Sequence, residues 1–390
     1  MFRRWCVSWT ATSAEPPMQN AETASNRSPQ YISDLDDNPA TSALYNDTMR
    51  TVSALASTVQ RRTPIAVRQG TRRCFSSSQN LQATWGFIGL GRMGYPMAKN
   101  LRAKIPAEDT LFVHDVNTAA TKQFLEEHPQ GVQVAQNVRE LAENAETIVT
   151  SLPEPKHVKA VFKEMLEPPT LLSDGVVKKE RFFIDCSTID PMTSGEVAHT
   201  VHSTGQGKFV DAPMSGGVVG AQAGTLTFMI GAPEEAVEGA TKVLSLMGKR
   251  VVHLGGPGAG LKGKLANNYL LALNNIATAE AMSMGVKWGL DPKALAGMIN
   301  TATGKCWPSE VNNPVPGVIE GSPASRGYEG GFGIALANKD LKLALKAAAE
   351  ADVKLALGEA ARALYDAVEQ AENCKGKDFS VVYRYLGGKE

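Results

Sequence analysis

The stretch WGFIGLGRMGYPMAKNL constrains the fold of this chain more than any other part of the sequence. Residues 85–90 form a short apolar run suited to a buried strand, and residues 93–101 have the pattern of the helix that follows it. Three glycines between the two form the pattern GxGxxG, at Gly89, Gly91 and Gly94. In such a unit the first glycine permits a tight turn, the second lets a pyrophosphate approach the backbone, and the third lets helix and strand pack closely.

The second predicted strand, TLFVHD, ends in an acidic residue, Asp115, about 20 positions after the last of these glycines. A carboxylate at this place accepts hydrogen bonds from the adenosine ribose of a dinucleotide and repels the 2′-phosphate of NADP. The pattern therefore predicts NAD as the cofactor, with an ordinary strand-end aspartate as the alternative. The remaining residues of the turn are predicted to contact the cofactor as well: Leu90, Arg92 and Met93.

Strand and helix patterns continue to alternate as far as His253, which is typical of a doubly wound α/β sheet. After Gly260 only helical patterns follow, beginning with one long helix over 261–288. We therefore predict a Rossmann-type NAD-binding domain over residues 84–256 and an all-α domain over 257–388, joined by this long interdomain helix. A cleft between two such domains is the expected ligand site. The long apolar helix also favours a homodimer or homotetramer.

Residues 1–80 show no sustained apolar period, and we predict a disordered or targeting region there. From Met49 to residue 80 the chain is rich in Arg and Ser and contains no Asp or Glu, which is the composition of a mitochondrial presequence. Residues 1–48 carry several acidic side chains and do not suit import. We therefore expect translation to start at Met49 and the mature protein to lie in the mitochondrial matrix, with a plain disordered tail as the alternative.

The composition argues against several classes of partner. A formal net charge of +0 gives no electrostatic attraction to nucleic acid, and no apolar run approaches the roughly 20 residues of a membrane span. The five cysteines form neither a CxxC pair nor a Cys/His ligand spacing, so no metal site is predicted. Cys186, in DCST at a strand end, is read as a small buried thiol, with a catalytic cysteine as the alternative.

Four segments, GFIGLGRMGYPMAKNL, DAPMSGG, GAGLKGKLANN and KDLKLAL, resemble in order and spacing the signature regions of the β-hydroxyacid dehydrogenase family. The segment GKCWPSEVNNPVPGV, followed by GGFGIALANKDL, resembles the branch of that family that acts on 3-hydroxyisobutyrate. The resemblance covers about residues 84 to 388. It implies a small hydroxy acid as substrate and NAD-dependent oxidation of 3-hydroxyisobutyrate to methylmalonate semialdehyde, a step of valine breakdown.

The resemblance also implies a role for individual residues. Lys264 corresponds to the catalytic lysine of the family and Asn268 to its substrate-contacting amide, and their i, i+4 spacing places both on one helical face. In DAPMSGG the implied substrate-carboxylate site comprises Ser215, Gly216 and Gly217. The implied contacts to the cofactor outside the glycine turn are Leu152, Pro153, Thr188 and Lys339. His157 stands where relatives often carry Asn, so its contact to the cofactor stays open.

Two other functions remain as alternatives. One is a related reductase, such as a tartronate semialdehyde or glyoxylate reductase, which would share Lys264 and the serine–glycine turn. Such enzymes usually lack the CW…NPVPGV segment that this chain contains. The other is a non-catalytic dehydrogenase-like binding module. Degenerate relatives of that kind lose the catalytic lysine, which is present here.

Overall fold

The computed structural model describes residues 82–167 and 180–390. The predicted presequence and the acidic stretch before it lie outside the described residues. All the described residues belong to one compact unit, Ser78–Glu390.

The first part of this unit contains a parallel sheet with the order β3-β2-β1-β4-β5-β6. Its strands are β1 Thr84–Ile88, β2 Thr110–His114, β3 Val132–Val134, β4 Thr147–Thr150, β5 Arg181–Asp185 and β6 Gly207–Asp211. The chain runs outward from β1 to β3 and then returns to the other side of β1 for β4. The strand order therefore reverses between β1 and β4, and in open α/β sheets ligands bind at the carboxyl end of such a pair.

Helices cover both faces of this sheet. They are α1 Gly94–Lys104, α2 Thr118–Glu127, α3 Val138–Asn144, α4 Pro155–Leu166 and α5 Pro191–Ser203. Because successive strand residues point to opposite faces, Phe87 enters the core cluster with Leu101, whereas Ile88 enters the cluster with Phe162. Burial of both faces explains why these strands read as continuous apolar runs.

The next strands differ from the prediction. The sequence predicted that they would continue the doubly wound sheet, but they form a separate three-stranded sheet in which β7 and β8 are antiparallel and β8 and β9 are parallel. Its elements are β7 Met214–Ser215, α6 Gly217–Ala223, β8 Leu226–Ile230, α7 Glu234–Leu244 and β9 Gly248–His253. Pro213, two residues after the end of β6, has no N–H to continue the ladder, so the chain leaves the parallel sheet there.

The last part of the described chain is helical. Its helices are α8 Ala259–Lys287, α9 Pro292–Thr301, α10 Trp307–Glu310, α11 Ile334–Glu350, α12 Gly358–Gln370 and α13 Val382–Tyr385. The 29-residue helix α8 packs against α11 and also against β8, so it joins the two parts of the fold. Asp352, whose φ of 53° does not suit a right-handed helix, lies between α11 and α12. The predicted fold class, a Rossmann-type domain followed by an all-α domain, is confirmed.

Candidate functional site

The GxGxxG turn lies between β1 and α1, at the point where the strand order reverses. At Gly89, whose φ is +98°, an added Cβ would lie 2.3 Å from the Ser151 carbonyl oxygen, and at Gly94 it would lie 1.8 Å from the Gly89 carbonyl oxygen. Both positions are therefore closed to any side chain. At Gly91, by contrast, an added Cβ would meet no atom within 4 Å. The backbone at Gly91 faces open space, so the turn fits the pyrophosphate of a dinucleotide.

Asp115 follows β2 and reaches back to this turn. One of its carboxylate oxygens accepts a hydrogen bond from the Leu90 N–H at 2.5 Å, and the other accepts one from the Asn117 N–H at 2.6 Å. The half-buried carboxylate thus holds the glycine turn against the end of β2. The next residue, Val116, is 95 % exposed and leaves the space beside the carboxylate open.

The loops after β4 and β5 are held together beneath the site. The Leu152 N–H donates to the Ser187 hydroxyl at 2.8 Å, and that hydroxyl donates to the Asp185 carboxylate at 2.6 Å. The Thr150 hydroxyl donates to the same carboxylate oxygen at 2.7 Å. Burial raises the pKa of Asp185, although these donors oppose the rise. Sequence reasoning missed Asp185, which holds the Leu-Pro loop next to the loop that carries Thr188.

Two side chains connect the cofactor loops to the helical part of the chain. The Lys339 ammonium on α11 donates to the Thr188 carbonyl oxygen at 2.8 Å and lies 3.3 Å from the Pro153 carbonyl oxygen. The Arg92 guanidinium donates to the Gly331 carbonyl oxygen at 3.3 Å. Four of the residues predicted to contact the cofactor therefore lie where the two parts of the fold meet.

Lys264 and Asn268 lie one turn apart on the same face of α8, and only 8 % and 5 % of their surfaces are exposed. Burial lowers the pKa of Lys264; the carboxylate of Asp340 opposes this effect and the charge of Lys339 adds to it. Lys262, on the other side of the helix, is exposed. The face that carries Lys264 is therefore the one turned into the fold.

Asp340 on α11 connects these groups. Its carboxylate accepts a hydrogen bond from the Asn268 amide nitrogen at 2.7 Å, and its other oxygen lies 3.1 Å from the Lys339 ammonium. Asp340 is buried. Sequence reasoning missed Asp340, although it stands directly after Lys339 in the KDL segment. Its helical spacing from the apolar residues Ala337 and Ala344 places it on the buried face of α11, and this is the signal that could have found it.

Ser215, Gly216 and Gly217 form the turn between β7 and α6. Gly216 and Gly217 have φ values of 136° and 63°, which L-side chains rarely adopt, and both glycines are exposed. Ser215 is half-buried and pairs with Thr227 of β8, the strand that packs against α8. The turn offers one hydroxyl and exposed glycine backbone at the end of β7.

The remaining predicted groups have plain structural settings. Cys186 is buried and burial raises the pKa of its thiol well above the ordinary value, which disfavours the nucleophilic thiolate. His157 lies on the first turn of α4, and its Nδ1 atom is shielded from solvent without a hydrogen-bond partner among the described residues. Across residues 82–167 and 180–390, no cluster of three His, Cys, Asp or Glu side chains suits a metal ion, and no helix has the length and hydropathy of a membrane span.

Comparison with known families matches both parts of the chain. Residues 84–255 match the NAD binding domain of 6-phosphogluconate dehydrogenase. Residues 258–386 match the family described as NAD-binding of NADP-dependent 3-hydroxyisobutyrate dehydrogenase. The chain therefore combines two family domains that both bind a nicotinamide cofactor.

Curated relatives and solved structures agree with these matches. A protein of Dictyostelium discoideum named probable mitochondrial 3-hydroxyisobutyrate dehydrogenase is 44% identical over 79% of this chain and 92% of its own length. The mitochondrial 3-hydroxyisobutyrate dehydrogenase of Bos taurus is 41% identical over 85% of this chain and 94% of its own. The Mycobacterium tuberculosis 3-hydroxyisobutyrate dehydrogenase, solved with L-serine, is 35% identical with a TM-score of 0.69, over 78% of this chain and 99% of that one. By sequence and by fold, this chain belongs to the 3-hydroxyisobutyrate dehydrogenase family.

Proposed function

We propose that this protein oxidises 3-hydroxyisobutyrate to methylmalonate semialdehyde with NAD, with Lys264 as the general acid/base. The observation that carries the proposal is the burial of Lys264 and Asn268 on one face of α8, connected through Asp340 and Lys339 to the loops that follow β4 and β5. The relatives that this chain matches over more than nine-tenths of their length are named for the same substrate.

The chain's own residues divide the reaction between them. NAD, when bound, supplies the acceptor for the hydride. Lys264 removes the proton of the substrate hydroxyl, for which its amine must be uncharged, and its lowered pKa increases the uncharged fraction near neutral pH. Asn268 orients the hydroxyl, while its amide nitrogen is fixed by Asp340. The Ser215 hydroxyl and the N–H groups of Gly216 and Gly217 hold the substrate carboxylate.

The same division of roles supports the domain boundaries that we propose, an NAD-binding domain over 84–256 and a helical domain over 257–388. Gly89 to Gly94, Asp115, Leu152, Pro153 and Thr188 would hold the cofactor from the first domain, and Lys339 would reach it from the second. L-Serine, found with the M. tuberculosis relative, carries a carboxylate and a hydroxyl on its third carbon. The substrate class that we propose has the same two groups.

A tartronate semialdehyde or glyoxylate reductase is the second candidate. The segment that argues against it, NPVPGV, begins with three buried residues in the helical domain, Asn313 to Val315, whereas Gly317 is exposed. Asn313 is fully buried, its amide nitrogen donates to the Ser309 carbonyl oxygen at 3.1 Å, and its amide oxygen accepts from the Val315 N–H at 3.1 Å. The buried start of the segment thus has a structural role within the helical domain.

The test of the function is NADH formation from 3-hydroxyisobutyrate by the full chain, with NAD and NADP compared on one preparation. We expect a clear preference for NAD, because the Asp115 carboxylate would repel a 2′-phosphate. Asp115→Ser should reduce the ratio of kcat/KM for NAD over NADP by roughly tenfold or more, since a like-charge contact costs at least ~1.4 kcal/mol. Absence of NADH formation refutes the function, whereas equal use of both cofactors by the unchanged protein refutes only the role of Asp115.

The relatives' names place them in mitochondria, and we propose the matrix as the location of this protein. Residues 49–80 contain no acidic side chain, so the membrane potential would draw this segment inward. A fluorescent reporter fused to residues 49–80 should reach mitochondria, and a chain that begins at Met49 should be imported as well as the full chain. A reporter fused to residues 1–48 is the matched control and should stay in the cytosol. A diffuse signal from the 49–80 fusion would contradict the proposal.

We also propose that the protein forms a homodimer or homotetramer. Large apolar side chains are exposed along one helix, α8, at Leu270 and Met284, and Trp288 just beyond its end is 71 % exposed. A second copy of the chain could cover them, as exposed apolar patches commonly mark association surfaces.

A further inference from the structure

Helix α8, which carries Lys264, receives its N-terminal cap from a different element. Its N-cap residue is Gly258, which has no side chain to cap the helix. Asp211, the last residue of β6, supplies the acceptors instead: its Oδ1 accepts from the Gly258 N–H at 2.6 Å and its Oδ2 accepts from the Leu261 N–H at 2.9 Å. The first N–H groups of a helix have no partner within it, so these two bonds decide where α8 begins.

The Asp211 carboxylate is closely packed against its neighbours. Asp211 is 1 % exposed, and glycines surround its carboxylate. An added Cβ at Gly231 would lie 2.4 Å from Oδ1, and one at Gly260 would lie 2.8 Å from Oδ2. The Gly231 N–H also donates to the Asp211 carbonyl oxygen at 2.9 Å. The carboxylate therefore has little freedom to move, and the first turn of α8 is fixed relative to the end of β6.

Asp211 stands between the two groups that the proposed function requires to act together. Along α8, Lys264 follows Leu261 by three residues and Asn268 follows one turn later, so both move with the first turn of the helix. Ser215 follows Asp211 by four residues, through the short segment that contains Pro213. A displacement of α8 away from Asp211 would change the separation between Lys264 and the Ser215 turn.

We propose that Asp211 is a positioning residue that sets the distance between the general base Lys264 and the substrate-carboxylate turn that begins at Ser215. The inference rests on the proposed function, and it concerns a buried residue outside the contacts proposed above for the substrate and the cofactor. Burial raises the pKa of Asp211 to about 6, the two N–H donors oppose that rise, and neighbouring Asp185 adds to it. At pH 7.5 and above the group is an ionised carboxylate that can accept both bonds.

The test is Asp211→Asn in the full chain, assayed at pH 7.5 with 3-hydroxyisobutyrate and NAD. The amide keeps one acceptor oxygen, but its nitrogen would face a backbone N–H, so one bond is lost and two donors are brought together. We expect kcat to fall roughly 10- to 100-fold, because a displacement of about 1 Å at a reacting group costs ~10²-fold. The Kd of NAD should change less than about twofold, since Gly89 to Gly94 and Asp115 are untouched.

The pH dependence of kcat/KM is a second measurement, and a loss of stability alone would not change it. The charged groups that act on Lys264 are Asp340 and Lys339 on α11, together with its burial. A displaced α8 would expose Lys264 to more water, so the apparent pKa in the profile of kcat/KM should rise toward that of an ordinary lysine. The same shift is not expected from a variant that merely lowers the melting temperature.

Asp109→Asn is the matched control. Asp109 is 5 % exposed and its carboxylate accepts from the Ala83 N–H at 2.9 Å and the Trp85 indole N–H at 3.0 Å, at the amino ends of β1 and β2, whereas Asp211 lies at the carboxyl end of β6. This variant should lose stability but keep kcat and the pH profile of the unchanged protein.

Each outcome of these experiments supports or overturns the role of Asp211. If the unchanged protein oxidises 3-hydroxyisobutyrate while folded Asp211→Asn keeps its kcat and its pH profile, Asp211 is not a positioning residue, although the proposed function stands. Inactivity of the unchanged protein overturns the function itself. If Asp211→Asn does not fold, amide exchange in the unchanged protein with NAD decides. The Gly258 and Leu261 amides must exchange much more slowly than the open N–H groups of Gly216 and Gly217, and equal rates overturn the inference.

Discussion

Lys264→Ala should lower kcat for 3-hydroxyisobutyrate by ~10²–10⁴-fold, the range typical for loss of a positioned acid/base. On this face of α8 the alanine removes the side chain that can accept the hydroxyl proton, because the neighbouring Asn268 amide is not a base near neutral pH. Lys264 lies on α8, far along the chain from the glycine turn at Gly89 to Gly94, so we expect the Kd of NAD to stay within about twofold of its original value. Retention of more than roughly a tenth of kcat would show that the base lies elsewhere.

Lys262→Ala is the matched control for this experiment. Lys262 lies two residues away in the same GAGLKGKLANN segment, but it is exposed, so its loss removes an equal charge without touching the buried face. It should keep kcat. In the unchanged protein, burial lowers the pKa of Lys264, so the profile of kcat/KM should rise with pH at a lower value than an ordinary lysine would give. Lys264→Ala should remove that rise from its residual activity.

The glycine turn and the Lys264–Asn268 pair could be predicted from the sequence, because each depends on contacts between residues that are close along the chain. An added Cβ at Gly94 would lie 1.8 Å from the Gly89 carbonyl oxygen, so the spacing of these glycines records a contact within a single turn. The i, i+4 spacing of Lys264 and Asn268 likewise follows from helical geometry alone. Such local patterns can be recognised in the sequence without knowledge of the tertiary structure.

Other parts could not be predicted because they depend on contacts between distant segments. The bond from Asn268 to Asp340 joins residues 72 positions apart, and the bonds from Asp211 to Gly258 and Leu261 join residues 47 and 50 positions apart. No local pattern distinguishes these buried aspartates from an exposed strand-end or helix aspartate. For the same reason the strand patterns of β8 and β9 indicated strands but not that Pro213 sends them into a second sheet.

The substrate's charge and length should together decide turnover. We propose that Ser215, Gly216 and Gly217 bind the carboxylate and that Lys264 and Asn268 bind the hydroxyl, so the two binding groups stand at a fixed separation. In a 3-hydroxy acid the reacting hydroxyl is one carbon farther from the carboxylate than in a 2-hydroxy acid. A reacting group displaced by about 1 Å can lose ~10²-fold in rate, so lactate should be a poor substrate. A methyl ester should also fail, because its neutral head cannot form charge-assisted hydrogen bonds at the glycine turn.

The measurement is kcat/KM for 3-hydroxyisobutyrate, its methyl ester and lactate on one preparation of the full chain with NAD. We expect the free 3-hydroxy acid to exceed each of the others by roughly 10²-fold. Ser215→Ala should reduce this advantage over the ester, since it removes a donor to the carboxylate, whereas Ser203→Ala, on the exposed end of α5, should leave the ratio unchanged. If the ester matches the free acid, the carboxylate is not bound at Ser215 to Gly217. If lactate matches it, the separation between that turn and Lys264 does not select the substrate.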